Sequence, residues 1–156
     1  MSLNLDKLEQ RMMNDLRTQH PWTEKLLYVG AFLPQTRVPE CVYLFGLRDE
    51  PLFAALFAEP DWPAQALRET TQYNMRYHVA ARQYSCHSLV QELFISYLTP
   101  EEQRMYAAIA VRAVNRVLPE GYIYRTDEYR ALMNCGREYH PANRERGRRI
   151  MTDPRQ

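Results

Sequence analysis

The chain has 156 residues, enough for one domain with a substantial core. Hydrophobic residues make up 46% and charged residues 25%, an ordinary globular balance that excludes disorder over the whole length. A net charge of only +1 excludes a body that coats nucleic acid by charge alone.

The first expected element is an amphipathic helix over residues 3–18. Leu5, Leu8, Met12 and Leu16 share one face, and Asp6, Glu9, Gln10 and Arg17 lie away from it. His20-Pro21 ends it, because the residue before proline avoids the helical region. Two short apolar runs follow, Leu26–Leu33 and Cys41–Leu47, flanking a loop with Pro34 and Pro39. Their aromatic and branched content favours a β-hairpin near 26–47. Continuous apolar runs carry no period, however, so buried helical turns stay open.

From Pro51 onward the signals are helical. A short helix is expected over 51–58, capped by Asp49 or Glu50. Asp61-Trp62-Pro63 opens a longer one to about Tyr84, with Ala66, Thr70, Tyr73, Tyr77, Ala81 and Tyr84 as its stripe. Ser88 and Gln91 have capping-box spacing for a helix over 88–98. Thr99-Pro100-Glu101-Glu102 combines a Thr cap, Pro in the first turn and a Glu that can reach back. The helix after it carries Met105, Tyr106, Ile109, Ala110, Ala113, Val114, Val117 and Leu118 on one broad apolar face, with Arg104, Arg112 and Arg116 on the opposite, solvated face. It is expected to pack on 88–98 and 64–84. Pro119 and Gly121 stop it. Tyr122-Ile123-Tyr124 reads as extended, and a further helix ends at Cys135-Gly136.

The fold class expected is therefore mainly α, with α+β as the alternative: five to six packed helices and one hairpin. Residues 1–136 form a single globular domain, and 137–156 a basic tail. Residues 1–136 hold 14 Arg and Lys against 16 Asp and Glu, a balance of −2. Residues 137–156 hold six Arg against three acids, a balance of +3. Of the 20 basic residues, only Lys7 and Lys25 are lysines. Arginine suits bidentate contacts to carboxylate and phosphate, and stacking on aromatic rings.

Catalytic motifs are scarce. Five scattered glycines permit neither a P-loop nor a dinucleotide fingerprint. Cys86-His87, Cys135, His140 and His78 lack the paired spacing of a zinc site. Cys86 precedes a helix start, where a dipole would lower a thiol pKa, but an ordinary buried thiol is the simpler reading. Helices 88–98 and 101–118 are too closely joined for a helix-turn-helix, and the second opens on two glutamates that would repel DNA phosphate. The densest chemical cluster is Arg76, Tyr77, His78, Arg82 and Tyr84, read as one helix carrying two arginines, a histidine and two tyrosines.

Together these readings point to a non-catalytic binding or regulatory protein of the cytoplasm. It would dock on a larger protein or nucleoprotein assembly, in the manner of a phage- or mobile-element inhibitor or accessory factor. Its contacts would be Arg76, Tyr77, His78, Arg82, Tyr84 and the tail arginines Arg144, Arg146, Arg148 and Arg149. Neither cofactor nor metal is expected, no membrane is implied, and oligomeric state is unconstrained, a dimer included. Two alternatives remain: a nucleic-acid binder using the tail and the Tyr/Arg face, and a small phosphoryl-transfer enzyme around Arg76, His78, Arg82 and His87.

Overall fold

A computed structural model describes residues 2–117. In chain order it contains α1 (Ser2–Gln19), α2 (Pro21–Ala31), β1 (Val38–Pro39), α3 (Glu40–Leu44), a 3-10 turn (Pro51–Phe53) leading into α4 (Ala54–Phe57), and α5 (Trp62–Glu69). A second 3-10 turn (Thr70–Tyr73) precedes β2 (Met75–His78) and β3 (Gln83–Cys86), and α6 (Ser88–Ser96) and α7 (Pro100–Val117) follow. The fold is mainly helical with one small antiparallel sheet, in the order β1-β3-β2. The expected extended piece at 122–124, the helix ending at Cys135 and the tail from 137 lie outside the described residues.

The sheet is not where the apolar runs suggested. Leu26–Leu33 belongs mostly to α2, and Cys41–Leu47 begins with α3. The physical reason is position. Pro21 starts α2 at its first turn, and α2 then runs through the middle of the molecule, packed by α1, α5, α6 and α7. Six consecutive residues, Leu26 to Ala31, are buried. A helix covered all round shows no polar stripe, so its sequence resembles a buried strand. Gly30 sits at a close approach, since a Cβ there would lie 3.0 Å from the Tyr43 hydroxyl and 3.3 Å from the Met75 sulfur.

The long helix expected to Tyr84 stops at Glu69. A 3-10 turn carries the chain to Asn74, whose left-handed conformation (φ 73°) turns it into β2. Asparagine tolerates that region better than most residues. Tyr77 and Tyr84, spaced as if two helical turns apart, are cross-strand partners in the β2–β3 hairpin. Seven residues fit both geometries, which is why the stripe misleads.

Other details move without changing the class. Among the described side chains of α1, Met13 and Leu16 are buried, whereas Leu8 is exposed; on α7, Met105 is 39% exposed and falls outside the buried face. The start of α6 is capped by His87, whose Nδ1 accepts from the Leu89 N–H at 3.1 Å. Gln91 is buried instead, and its amide donates to the carbonyls of Gly30 (3.1 Å) and Leu33 (2.7 Å), closing the end of α2. At α7 the capping box forms as expected. The Thr99 N–H donates to Glu102 (3.0 Å), and the Glu102 N–H donates to the Thr99 hydroxyl (3.2 Å). α7 packs mainly on α2 and α3 rather than on α5, and reaches α6 through the Gln103 amide, which donates to the Ile95 and Leu98 carbonyls.

Arg112 and Arg116 are not idle solvated groups. Both hold Glu50, whose side chain is 2% exposed. Arg112 Nη2 donates to Glu50 Oε1 at 2.6 Å, and its Nε donates to Oε2 at 3.1 Å. Arg116 pairs with Oε2 and also donates to the Gly46 carbonyl at 2.9 Å. Burial alone would push the Glu50 carboxyl up, but the bonds and charges of the two guanidiniums outweigh it and hold it below its ordinary value. Glu50 thus does not cap the following turn through its side chain, as expected from sequence. It ties the 45–50 turn to α7.

Candidate partner-binding face of the hairpin

The hairpin pairs Met75 with Cys86, Arg76 with Ser85, Tyr77 with Tyr84 and His78 with Gln83. Strand alternation sends its two faces to different places. Met75, Tyr84 and Cys86 are buried in the core, and Tyr77 packs on them half-buried. Arg76 and His78 stand exposed on the outer face, with the half-buried Ser85 beside them.

On the inner side the tyrosines form a cluster of tilted and edge-on rings. Ring centroids lie 4.7 Å apart for Tyr77–Tyr84 and 5.6 Å for Tyr43–Tyr84. The Tyr77 hydroxyl donates to Glu40 Oε2 at 3.0 Å. Burial pushes Tyr84 up to about 12, with the Glu40 charge adding to it. Tyr77 and Tyr84 are therefore packing and bracing groups, not the outward contact residues expected from the helical reading. Burial likewise pushes the Cys86 thiol up to about 11, the opposite of an activated nucleophile.

On the outer side the sequence cluster is partly reassembled. Arg76 lies directly across from Ser85, and His78 Nε2 is 3.0 Å from the Ser85 hydroxyl. His87 follows two residues later, at the start of α6. Because its Nδ1 accepts from Leu89, the ring proton sits on Nε2, which leaves a donor facing outward. Arg82 separates from this group. It occupies the turn after His78 in a left-handed conformation (φ 52°), with its N–H donating to the Val79 carbonyl at 3.3 Å. Its carbonyl accepts from the Glu40 N–H at 2.9 Å and so joins the turn to α3. A non-glycine residue held there costs about 1 kcal/mol and persists only because its surroundings impose it.

A cleft of ≈ 640 Å³ opens beside this face. Its polar walls include Gln35, Asn74, Arg76, Ser85 and His87, and none of its lining residues is an acid. The Arg76 guanidinium makes no ion pair or hydrogen bond among the described residues. The cleft thus presents a guanidinium, an imidazole N–H, amides and hydroxyls with no internal carboxylate to satisfy them. That donor set complements an oxyanion.

Of the residues expected to make contacts, Arg76 and His78 share the outer face, and His87 joins Arg76 at the cleft. Tyr77 and Tyr84 turn inward, and Arg82 lies in the turn. Arg144, Arg146, Arg148 and Arg149 fall outside the described residues, as do Cys135 and His140. Ser85 was missed. The signal for it was the alternation Met75-Arg76-Tyr77-His78 and Gln83-Tyr84-Ser85-Cys86, visible once residues 79–82 are read as a turn. Among the described residues, no three His, Cys, Asp or Glu side chains gather as a metal site. No described helix is long and apolar enough to cross a membrane. Comparison of the chain with protein-family models, with characterised proteins and with solved structures finds no match.

Proposed function

We propose that this protein is a non-catalytic docking protein that engages an acidic patch on a partner protein through the outer face of the β2–β3 hairpin. The observation that carries this reading is Arg76. It stands without a carboxylate of its own at the mouth of a cleft lined by donors and free of acids. A planar guanidinium beside an imidazole N–H suits a carboxylate or phosphate better than it suits water alone. The hairpin tip adds Val79, 77% exposed, as an apolar contact next to the charged ones. β2 is also an outer strand of the described sheet, a position from which partners commonly extend pairing.

The test is recovery of bound protein from the native host on immobilised full-length chain. The comparison is between wild type, Arg76→Glu and the surface control Arg104→Glu. A partner held by wild type and by the control, but lost at least tenfold with Arg76→Glu, is the expected result. Equal retention by all three overturns the reading. Recovery of nucleic acid in place of protein, with affinity falling steeply as salt rises, replaces it with the nucleic-acid reading.

A further inference from the structure

A second cleft lies elsewhere, between the α1–α2 corner and α5, and its chemistry is of opposite sign. We propose that it binds a cation carried on an apolar stem, a lysine- or arginine-type side chain of a partner, between the Trp62 ring and the Glu69 carboxylate. This goes beyond the hairpin reading and does not depend on it.

The corner is set by His20 and Pro21. His20 leaves the helical region (φ −135°, ψ 60°), and Pro21 restarts the chain as α2, which swings Trp22 and Thr23 over α5. On α5, Trp62, Gln65, Ala66 and Glu69 follow helical spacing along one face. Together these residues line an open cleft of ≈ 450 Å³. No lysine or arginine lines it, and among its lining residues the group that can pair with the acid is His20, whose Nδ1 lies on Glu69 Oε2 and leaves Oε1 to a visiting cation.

Glu69 is oriented rather than consumed. Its Oε2 accepts from the Thr23 hydroxyl at 3.0 Å and lies 3.0 Å from His20 Nδ1. The Thr23 hydroxyl is in turn shared with the Ala66 carbonyl at 3.0 Å, and the His20 ring meets the edge of Tyr73 with centroids 6.0 Å apart. Oε1 receives only a long 3.5 Å contact from the Gln65 amide. One carboxylate oxygen is thus held in place with its lone pairs largely unspent.

Trp62 is 49% exposed at the start of α5, and no ring or cation contact is made to it among the described residues. An indole face is the strongest aromatic partner for a cation. Trp22, the second indole of the cleft, already behaves this way within the chain: Lys25 Nζ lies 5.2 Å from its ring centroid. An indole wall, a fixed carboxylate oxygen and apolar flooring from Leu56 and Ala66 form the complement of an alkyl stem ending in positive charge.

The chain has only two tryptophans, Trp22 and Trp62, and both line this cleft, so intrinsic fluorescence reports on it directly. The full chain is titrated at constant ionic strength with N-acetyl-arginine amide, N-acetyl-trimethyllysine amide and the neutral isostere 3,3-dimethylbutanol. A saturable change with either cation and none with the alcohol is expected, and the tighter cation identifies the head group. Glu69→Gln should weaken that binding about tenfold. Trp62→Phe, a change at an exposed ring that spares the fold, should weaken it several-fold, read through Trp22. Absence of a saturable response to both cations overturns the proposal. So does an equal response to the alcohol, or a Glu69→Gln titration matching wild type while circular dichroism shows the variant folded.

Discussion

On α7, Arg112 and Arg116 converge on a carboxylate that is itself removed from water. On the hairpin, Arg76 faces a cleft with no acid in it. The residue type is the same and the roles are opposite. An arginine becomes structural when folding brings a buried carboxylate to it, and stays available when folding does not. Charge counts along the chain are blind to this, because Glu50 lies 62 residues from Arg112 and 66 from Arg116 in the sequence.

The sharpest way to break this contrast is to remove both partners of Glu50. Arg112→Met with Arg116→Met leaves a buried, unpaired carboxylate. The variant should lose about 3 kcal/mol of stability, the low end of what breaking a buried pair costs, because the arginines are partly exposed. Urea denaturation at pH 7 measures it. The pH profile sharpens the point. In wild type the folded pKa of Glu50 lies below its unfolded value. The carboxylate's contribution is therefore full above the ordinary value of about 4.3 and is lost as pH falls through the lower folded pKa. Without its arginines Glu50 is left with burial alone, which pushes its pKa up. The double variant should then gain from acidification where wild type loses, and parallel curves would refute the pairing as the cause.

The same junction depends on Gly46. A Cβ there would lie 2.4 Å from the Val42 carbonyl oxygen and 2.5 Å from that of Ala113, both backbone atoms that cannot swing aside. Gly46→Ala should cost about 2 kcal/mol by overpacking. Thermal melting of the variant should show the loss, and an unchanged midpoint would mean that α3 and α7 approach less closely than described.

A smaller effect is expected at the α7 cap. Thr99→Ala removes one of two reciprocal bonds and should cost about 1 kcal/mol. Chemical denaturation of the single variant is sufficient to measure it.

The smallest change in stability belongs to the hairpin. Arg76→Ala and His78→Ala should each stay within about 0.5 kcal/mol of wild type, since neither side chain is buried. The same substitutions should reduce partner binding. A large stability loss at Arg76 would show it to be structural, like Arg112, and would remove the distinction between the two regions.

The sequence made α1 and α7 readable because both are amphipathic and bounded by local signals: His20-Pro21 for the end of one, Thr99-Pro100-Glu101-Glu102 for the start of the other. It left α2 ambiguous because a helix covered on every side carries no polar stripe. It misplaced the hairpin because Tyr73, Tyr77 and Tyr84 satisfy helical spacing, while the turn signals are only Asn74 and Arg82, two non-glycine residues in the left-handed region. Of the candidate site, Arg76, His78 and His87 were legible as residue types in one stretch of chain. Ser85 and the inward direction of Tyr77 and Tyr84 were not, because they depend on period two rather than 3.6.

What the sequence determined by itself is therefore local: a mainly helical chain, two well-bounded helices, an arginine-rich inventory and a cluster of Arg and His between residues 76 and 87. The tertiary structure decided which arginines meet acids, which side of the hairpin each ring takes, and that Trp22, Trp62, Thr23 and Glu69 share one cleft. The physical reason is range. Capping, proline placement and helical period act within a few residues. Ion pairing and burial join groups tens of residues apart, and only tertiary packing, around α2 and between α3 and α7, brings those groups together.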